Sequence, residues 1–240
     1  VVLAPFVVAG WVAVTRKSEM LRRLIVLGLL LVSLSGLSVA TAQQRDPDWD
    51  DCLQDQALDR QIRGCTAVLN RSGETAARRA IAFSRRGFAN LLRGQEAAAL
   101  ADFTEALRLD PRDDWALTNR GLILLNTGRV DEAKADLEAA IRLNPRNDTA
   151  LALRGLLNQE RGDLDAAMAD FNEAIRLNPQ NGVAFYGRAR VHDHRGELRQ
   201  AAEDFRAALR LGQQHVRGDL ARIEAELRAE TELRGSAAPR

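Results

Sequence analysis

The stretch ADFTEALRLDPRD, Ala101 to Asp113, decides the fold because the chain nearly repeats it. ADLEAAIRLNPRN runs from Ala135 to Asn147, ADFNEAIRLNPQN from Ala169 to Asn181, and a worn copy, EDFRAALRLGQQH, from Glu203 to His215, each starting 34 residues after the one before. A fixed period of this size outranks any domain count drawn from the 240-residue length, because each unit then buries its apolar face against its neighbours. Within one unit, Ala80 to Asp113, the positions Phe83, Gly87 and Leu91, then Ala99, Phe103, Ala106 and Leu107, follow steps of three and four residues. They describe two amphipathic helices. Gly94 separates them and returns as Gly128, Gly162 and Gly196; Pro111, Pro145 and Pro179 close successive units, where proline cannot continue a helix.

Composition agrees with helices. Aromatic residues make 5% of the chain, Ala, Leu and Arg recur throughout, and no segment shows the Val, Ile, Thr and aromatic alternation of a strand. Gly87, Gly121 and Gly155 recur inside the first helices, opposed by Ala99, Ala133 and Ala167 in the second. A helical glycine costs about 1 kcal/mol relative to alanine, so its recurrence points to close helix approach. Phe103, Leu137, Phe171 and Phe205 are expected to fill the space beside these contacts. Helices of about 14 residues are marginal alone in water, so the pairs must stack. The fold class is all-α: an α-solenoid of stacked antiparallel helix pairs, curved continuously, with Ala101 and Phe103 facing different neighbours.

Period, helical Gly, turn Gly, Ala, Phe, Ala and terminal Pro together resemble the tetratricopeptide repeat. Units at 80–113, 114–147, 148–181 and 182–215, within a repeat region of 76–213, carry the resemblance; the fourth has Gln213 for the Pro and Ala189 for the helical Gly. The resemblance implies a protein-interaction scaffold with a protein or peptide partner, no catalysis, no cofactor and no metal. It also places the concave groove on first-helix positions. Carried over, these are Ile81, Ser84, Phe88, Leu91 and Leu92; Trp115, Thr118, Leu122, Leu125 and Asn126; Thr149, Ala152, Leu156, Gln159 and Glu160; and Val183, Tyr186, Arg190, Asp193 and His194. Phe88, Trp115 and Leu122 form an apolar anchor patch in the first two units, since large aromatics dominate interface energetics. The lysine and asparagine pattern by which some family members clamp a C-terminal carboxylate is absent.

A degenerate helical hairpin over 46–73 precedes the repeats, and folding over the anchor patch is its alternative to leaving a free site. Aligning Ile62, Cys65 and Val68 with Leu100, Phe103 and Ala106 puts Cys65 at the Phe position and Cys52 in a short first helix. Their side chains then meet as a disulfide, the alternative being two buried free thiols. After the repeats, Val216, Leu220, Ile223 and Leu227 space one apolar face along 214–234, a capping helix for the open end of the stack, with a disordered tail over 235–240. A helix for a partner or membrane is the other possibility; its mixed charge disfavours the membrane.

The first 42 residues read as an address. From Met20 come Arg22 and Arg23, an apolar run from Leu24 to Val39, and Ala40-Thr41-Ala42, the three parts of a signal peptide over 20–42 with cleavage before Gln43. An uncleaved membrane anchor is the rival, although the 16-residue run is shorter than the about 20 a spanning helix needs. Residues 1–19 fit an over-extended N-terminus ahead of Met20. A periplasmic or secreted protein follows, with a membrane-anchored assembly factor as the alternative.

The formal charge of +1 is set by the N-terminus: without residues 1–42 the chain holds 30 basic and 32 acidic residues, which excludes a general nucleic-acid surface. His192 and His194, two apart on a helix, point in different directions and read as a solvated pair. No nucleophile elbow, phosphate-binding loop or HExxH string occurs. Arg86, Arg120, Arg154 and Arg188 recur in step with Asp102, Asp136, Asp170 and Asp204. That pattern suits a repeated ion pair inside each unit better than an arginine ladder for acidic ligands.

Overall fold

A computed structural model describes residues 46–54 and 57–236. The proposed signal segment 20–42, residues 1–19 and the last four residues lie outside them. The described chain forms eleven α-helices and no strand. A hairpin of α1 (Pro47–Leu53) and α2 (Leu58–Asn70) leads into four helix pairs: α3 (Ala76–Leu92) with α4 (Glu96–Leu109), α5 (Asp114–Asn126) with α6 (Val130–Leu143), α7 (Asp148–Glu160) with α8 (Leu164–Leu177), and α9 (Gly182–His194) with α10 (Leu198–Arg210). A 3-10 turn (Gln214–Val216) joins α10 to α11 (Arg217–Ser236). The helix runs through Gly235, where the sequence suggested a disordered tail.

Each unit starts and ends on local signals. Asp113, Asn147 and Asn181 accept from the backbone N–H of Ala116, Ala150 and Ala184, satisfying donors at the first turns of α5, α7 and α9. The turn between paired helices needs a left-handed residue, and Gly94 supplies it at φ 72°, as its three periodic counterparts do. Ala99, Ala133 and Ala167 are fully buried, as are Phe103, Leu137, Phe171 and Phe205. Ala101, by contrast, is exposed.

The helical glycines meet the aromatic position more than the alanines. A Cβ on Gly87 would lie 3.2 Å from the Phe103 ring and 3.3 Å from the Ala99 carbonyl, but one on Gly155 would lie 2.6 Å from the ring of Phe171. Gly187, in the next unit, closes on the same ring, where a Cβ would lie 2.2 Å away. Phe171 is thus a wedge between α7 and α9, held by one glycine on each.

Successive units are stitched along both edges. Near the glycine turns, Arg93 pairs with Asp59, Asn126 donates to Glu96 at 3.2 Å, and Arg195 pairs with Asp165. At the proline end, Asn147 donates to Asp114 at 3.0 Å and Asn181 to Asp148 at 2.7 Å. Cys52 and Cys65 are bridged and fully buried, which fixes α1 on α2. At the other end Val216, Leu220 and Ile223 are buried, with Leu227 packed beside them, against Ala201, Ala202, Phe205 and Ala208. The inner stripe of α11 therefore covers the last pair.

Candidate partner-binding groove

The first helices α3, α5, α7 and α9 carry every residue assigned to the groove, and the structure divides them by use. Phe88 and Trp115 stack across the boundary between units, ring centroids 4.9 Å apart and tilted by 54°. Phe103 meets Trp115 edge-on at 6.1 Å, and the Arg85 guanidinium lies 5.7 Å above the Trp115 ring. Phe88, Leu91, Trp115, Leu122 and Leu125 are half-buried against the core around Phe103 and Leu117. Flanking them, Ile81 is 42% exposed and Leu92 57% exposed. The aromatic pair is thus anchored on the core, while Ile81 and Leu92 on the same helix as Phe88 stand open to solvent. The N-terminal hairpin packs through Cys52, Cys65, Val68 and Leu69 onto Ala82, with Trp49 and Phe83 against that cluster. Phe83 also packs on the core around Phe103, while neither Phe88 nor Trp115 joins the hairpin cluster.

Other positions are consumed by the stack. Thr118 is buried, donating to the Asp114 carbonyl at 2.7 Å and accepting from Asn147 Nδ2 at 2.9 Å. It holds two units together and cannot meet a partner, a correction to its place in the groove. Ser84, likewise buried, donates to Asp113 at 2.6 Å, and Ala152 is buried in the core. Asn126 remains exposed but is bound to Glu96. Tyr186 packs on Phe205 at 6.4 Å and on His215 at 4.7 Å, with the exposed Arg190 guanidinium 5.6 Å over its ring. Gln159 is half-buried and its Oε1 has no hydrogen-bond partner.

The arginine series is structural. Arg86, Arg120, Arg154 and Arg188 each donate through Nε and Nη2 to both oxygens of Asp102, Asp136, Asp170 and Asp204, at 2.6 to 3.0 Å. The aspartate side chains are only 7% to 10% exposed, so these forks exceed an exposed pair in strength. The hydrogen bond that Arg154 donates to Asp170 raises the Arg154 pKa above its ordinary value.

Two further members were not anticipated: Asn90 donates to Asp102 at 3.1 Å and Asn158 to Asp170 at 3.0 Å. In the fourth unit His192 takes that place. It is 17% exposed, with Nδ1 against Glu197 and Nε2 3.8 Å from Asp204, so it is not a solvated residue as its spacing from His194 suggested. Asp193 pairs with Arg222 of the cap.

Stacked helix pairs in a 34-residue register, glycine-turned and wedged at one aromatic position, match a known design. The family model described as the tetratricopeptide repeat matches residues 88–133 and 118–182. The stack has the fold of a tetratricopeptide-repeat solenoid. Among solved structures, the Cut9–Hcn1 hetero-tetramer of the APC/C aligns at a TM-score of 0.63 and 15% identity, over 70% of this chain and 34% of that one. The pilF protein of Pseudomonas aeruginosa aligns at 0.55 and 22%, over 65% and 72% of the two chains. MamA from Desulfovibrio magneticus RS-1, residue 41 to its end, aligns at 0.54 and 20%, over 69% and 92%. At these identities the likeness is one of tetratricopeptide fold. No curated protein matches in sequence.

Proposed function

We propose that this chain is an exported, non-enzymatic tetratricopeptide adaptor that holds a protein or peptide segment in its concave groove, anchored at Phe88, Trp115 and Leu122. The supporting observation is the half-buried Phe88–Trp115 stack together with Ile81 and Leu92, the two most exposed large hydrophobics among the described residues, on the same helix as Phe88. Export rests on the three-part pattern of residues 20–42, and the Cys52–Cys65 bridge is compatible with an oxidising compartment. None of the described helices is long and apolar enough to cross a membrane. The near-neutral charge beyond residue 42 supports a protein partner over nucleic acid.

Phe88 and Trp115 also pack on the core, so the test uses the margin. A photo-crosslinking residue at Leu92 is expected to capture a partner in cells, and Ile81→Glu with a crosslinker retained at Leu92 to abolish capture at unchanged melting temperature. Undiminished capture by the folded variant would move the site elsewhere. Mass measurement of the native N-terminus separates a protein starting at Gln43 from one that retains the apolar segment as an anchor.

A further inference from the structure

The joint of the second helix pair with the third, and of the third with the fourth, is tied by the same hydrogen-bonded triad. Asp114, at the head of α5, accepts from Asn144 and Asn147 at 3.0 Å each, and 34 residues later Asp148 accepts from Asn178 at 2.9 Å and Asn181 at 2.7 Å. One further step of the register falls on Gly182, Gly212 and His215, at the joint between the fourth pair and α11. All three members of the tie are replaced together, and two of them by residues with no side chain.

The chain also leaves the fourth pair by a different path. Asn144 and Asn178 are extended, at φ −136° and −139°, whereas Gly212 is left-handed at φ 94° and leads into the 3-10 turn. Gln213 takes the space of the missing carboxylate: a Cβ on Gly182 would lie 3.2 Å from its Cγ. Among the described residues, α11 meets the stack through the apolar stripe of Val216, Leu220, Ile223 and Leu227 and through two ion pairs, Arg222 with Asp193 and Arg206 with Glu224. The side chains of those pairs are 26% to 47% exposed, so water screens them and they restrain the helix little. Residues 228–232, beyond the stripe, are all exposed.

We propose that α11 is a hinged lid, which swings about Gly212 as one body while the four pairs stay stacked. Closed, it covers the apolar end formed by Ala201, Ala202, Phe205 and Ala208, sets His215 edge-on to Tyr186 at 4.7 Å and pairs Arg222 with Asp193. Open, it releases all three. Tyr186 and Asp193 are first-helix positions of the groove, so the lid sets whether the charged end of the groove is available; that consequence rests on the groove reading, and the opening itself does not.

Hydrogen exchange of the full chain, followed amide by amide, tests the opening. Amides from Ala221 to Leu227 are expected to share one level of protection, at least about tenfold below that of α7 and α8, as a body that opens together requires. Protection that falls gradually from Ile223 toward Ser236 is fraying and overturns the lid, as does protection equal to that of α8. Leu220→Ala is expected to lower protection about tenfold or more in α11 and to leave α5 to α8 unchanged. A loss shared by all the helices overturns the proposal, because α11 then belongs to one cooperative stack. Transplanting the inner joint, as Gly182→Asp with Gly212→Asn, Gln213→Pro and His215→Asn, is expected to raise protection in α11 about tenfold. Unchanged protection in the folded variant overturns the lost triad as the origin of the hinge. None of these readouts involves Ile81 or Leu92, so failure of the partner site leaves them standing.

Discussion

Gly187→Ala tests how one unit locks onto the next. A Cβ at residue 187 would lie 2.2 Å from Cζ of Phe171, 2.4 Å from Cε1 and 2.8 Å from Cε2. That is roughly 1.3 Å short of normal carbon–carbon contact. The ring has little room to move, because it is fully buried and the Gly155 backbone also crowds it, with Cε1 2.6 Å from where a Cβ would stand. Overpacking costs about 1 to 3 kcal/mol, and a flat ring between two backbones belongs near the upper end. Alanine's better helix propensity returns about 1 kcal/mol, leaving a net loss of about 2 kcal/mol. For a domain of this size that lowers Tm by about 4 to 8 °C. Gly121→Ala is the control: its nearest neighbours are Leu137 Cδ2 and Cγ at 3.0 Å, an aliphatic side chain that needs to give by only a few tenths of an ångström, so strain and propensity nearly cancel. Phe171→Leu in the Gly187→Ala background should recover much of the loss, seen as a favourable coupling in a double-mutant cycle followed by urea unfolding. A Tm for Gly187→Ala at or above that of the parent, or no coupling to Phe171, would refute the wedge.

Three further outcomes follow from other parts of the stack. Replacing Cys52 and Cys65 by serine removes about 3 kcal/mol of restraint, and a seven-residue helix cannot persist without docking, so hydrogen exchange should rise in α1 and stay unchanged in α5 to α9; spread into those helices would contradict a local staple. Arg154→Ala strands the nearly buried Asp170 with Asn158 alone and should cost about 2 kcal/mol in urea unfolding, with Arg154→Lys recovering only part because it loses the fork; a lysine variant as stable as the parent would deny the fork its role. The hydrogen bond from Arg176 holds the Glu173 carboxyl below the usual glutamate range, so its contribution to stability is present above that range and disappears as pH falls through the lowered folded value. In Arg176→Gln, NMR titration should find Glu173 back at an ordinary value, and an unmoved titration would count against the pairing.

What the sequence discloses about this fold depends on whether a contact recurs with the period. The turn glycines, the Arg86–Asp102 series and the buried Phe103 series are legible because each repeats at the same register. The cap was legible for a different reason: Val216, Leu220, Ile223 and Leu227 carry their own helical spacing. Gly187 escaped because its register position holds Arg85, Asn119 and Leu153 in the other units, so nothing marks it as a packing site. The asparagine partners escaped similarly, since Leu124 interrupts the series of Asn90 and Asn158, and His192 replaces it in the last unit. Thr118 was misassigned because position alone puts it on the groove side, while the residue that buries it, Asn147, lies 29 positions later at the next unit's cap.

That misassignment also says where specificity can vary. The stack uses its polar groups on itself: forks within units, asparagine ladders between them, and ion pairs at the turns. A groove position that one of these networks reaches, as Thr118 and Ser84 are reached, cannot change its chemistry without loosening two units. Ile81 and Leu92 at one end, and Arg190 at the other, are tied to no ion pair, and only Arg190 makes so much as a long contact to Tyr186. Substitution there alters what the surface attracts while leaving the 34-residue register intact. The groove is therefore free to be apolar beside α3 and charged beside α9, since no packing requirement imposes that contrast.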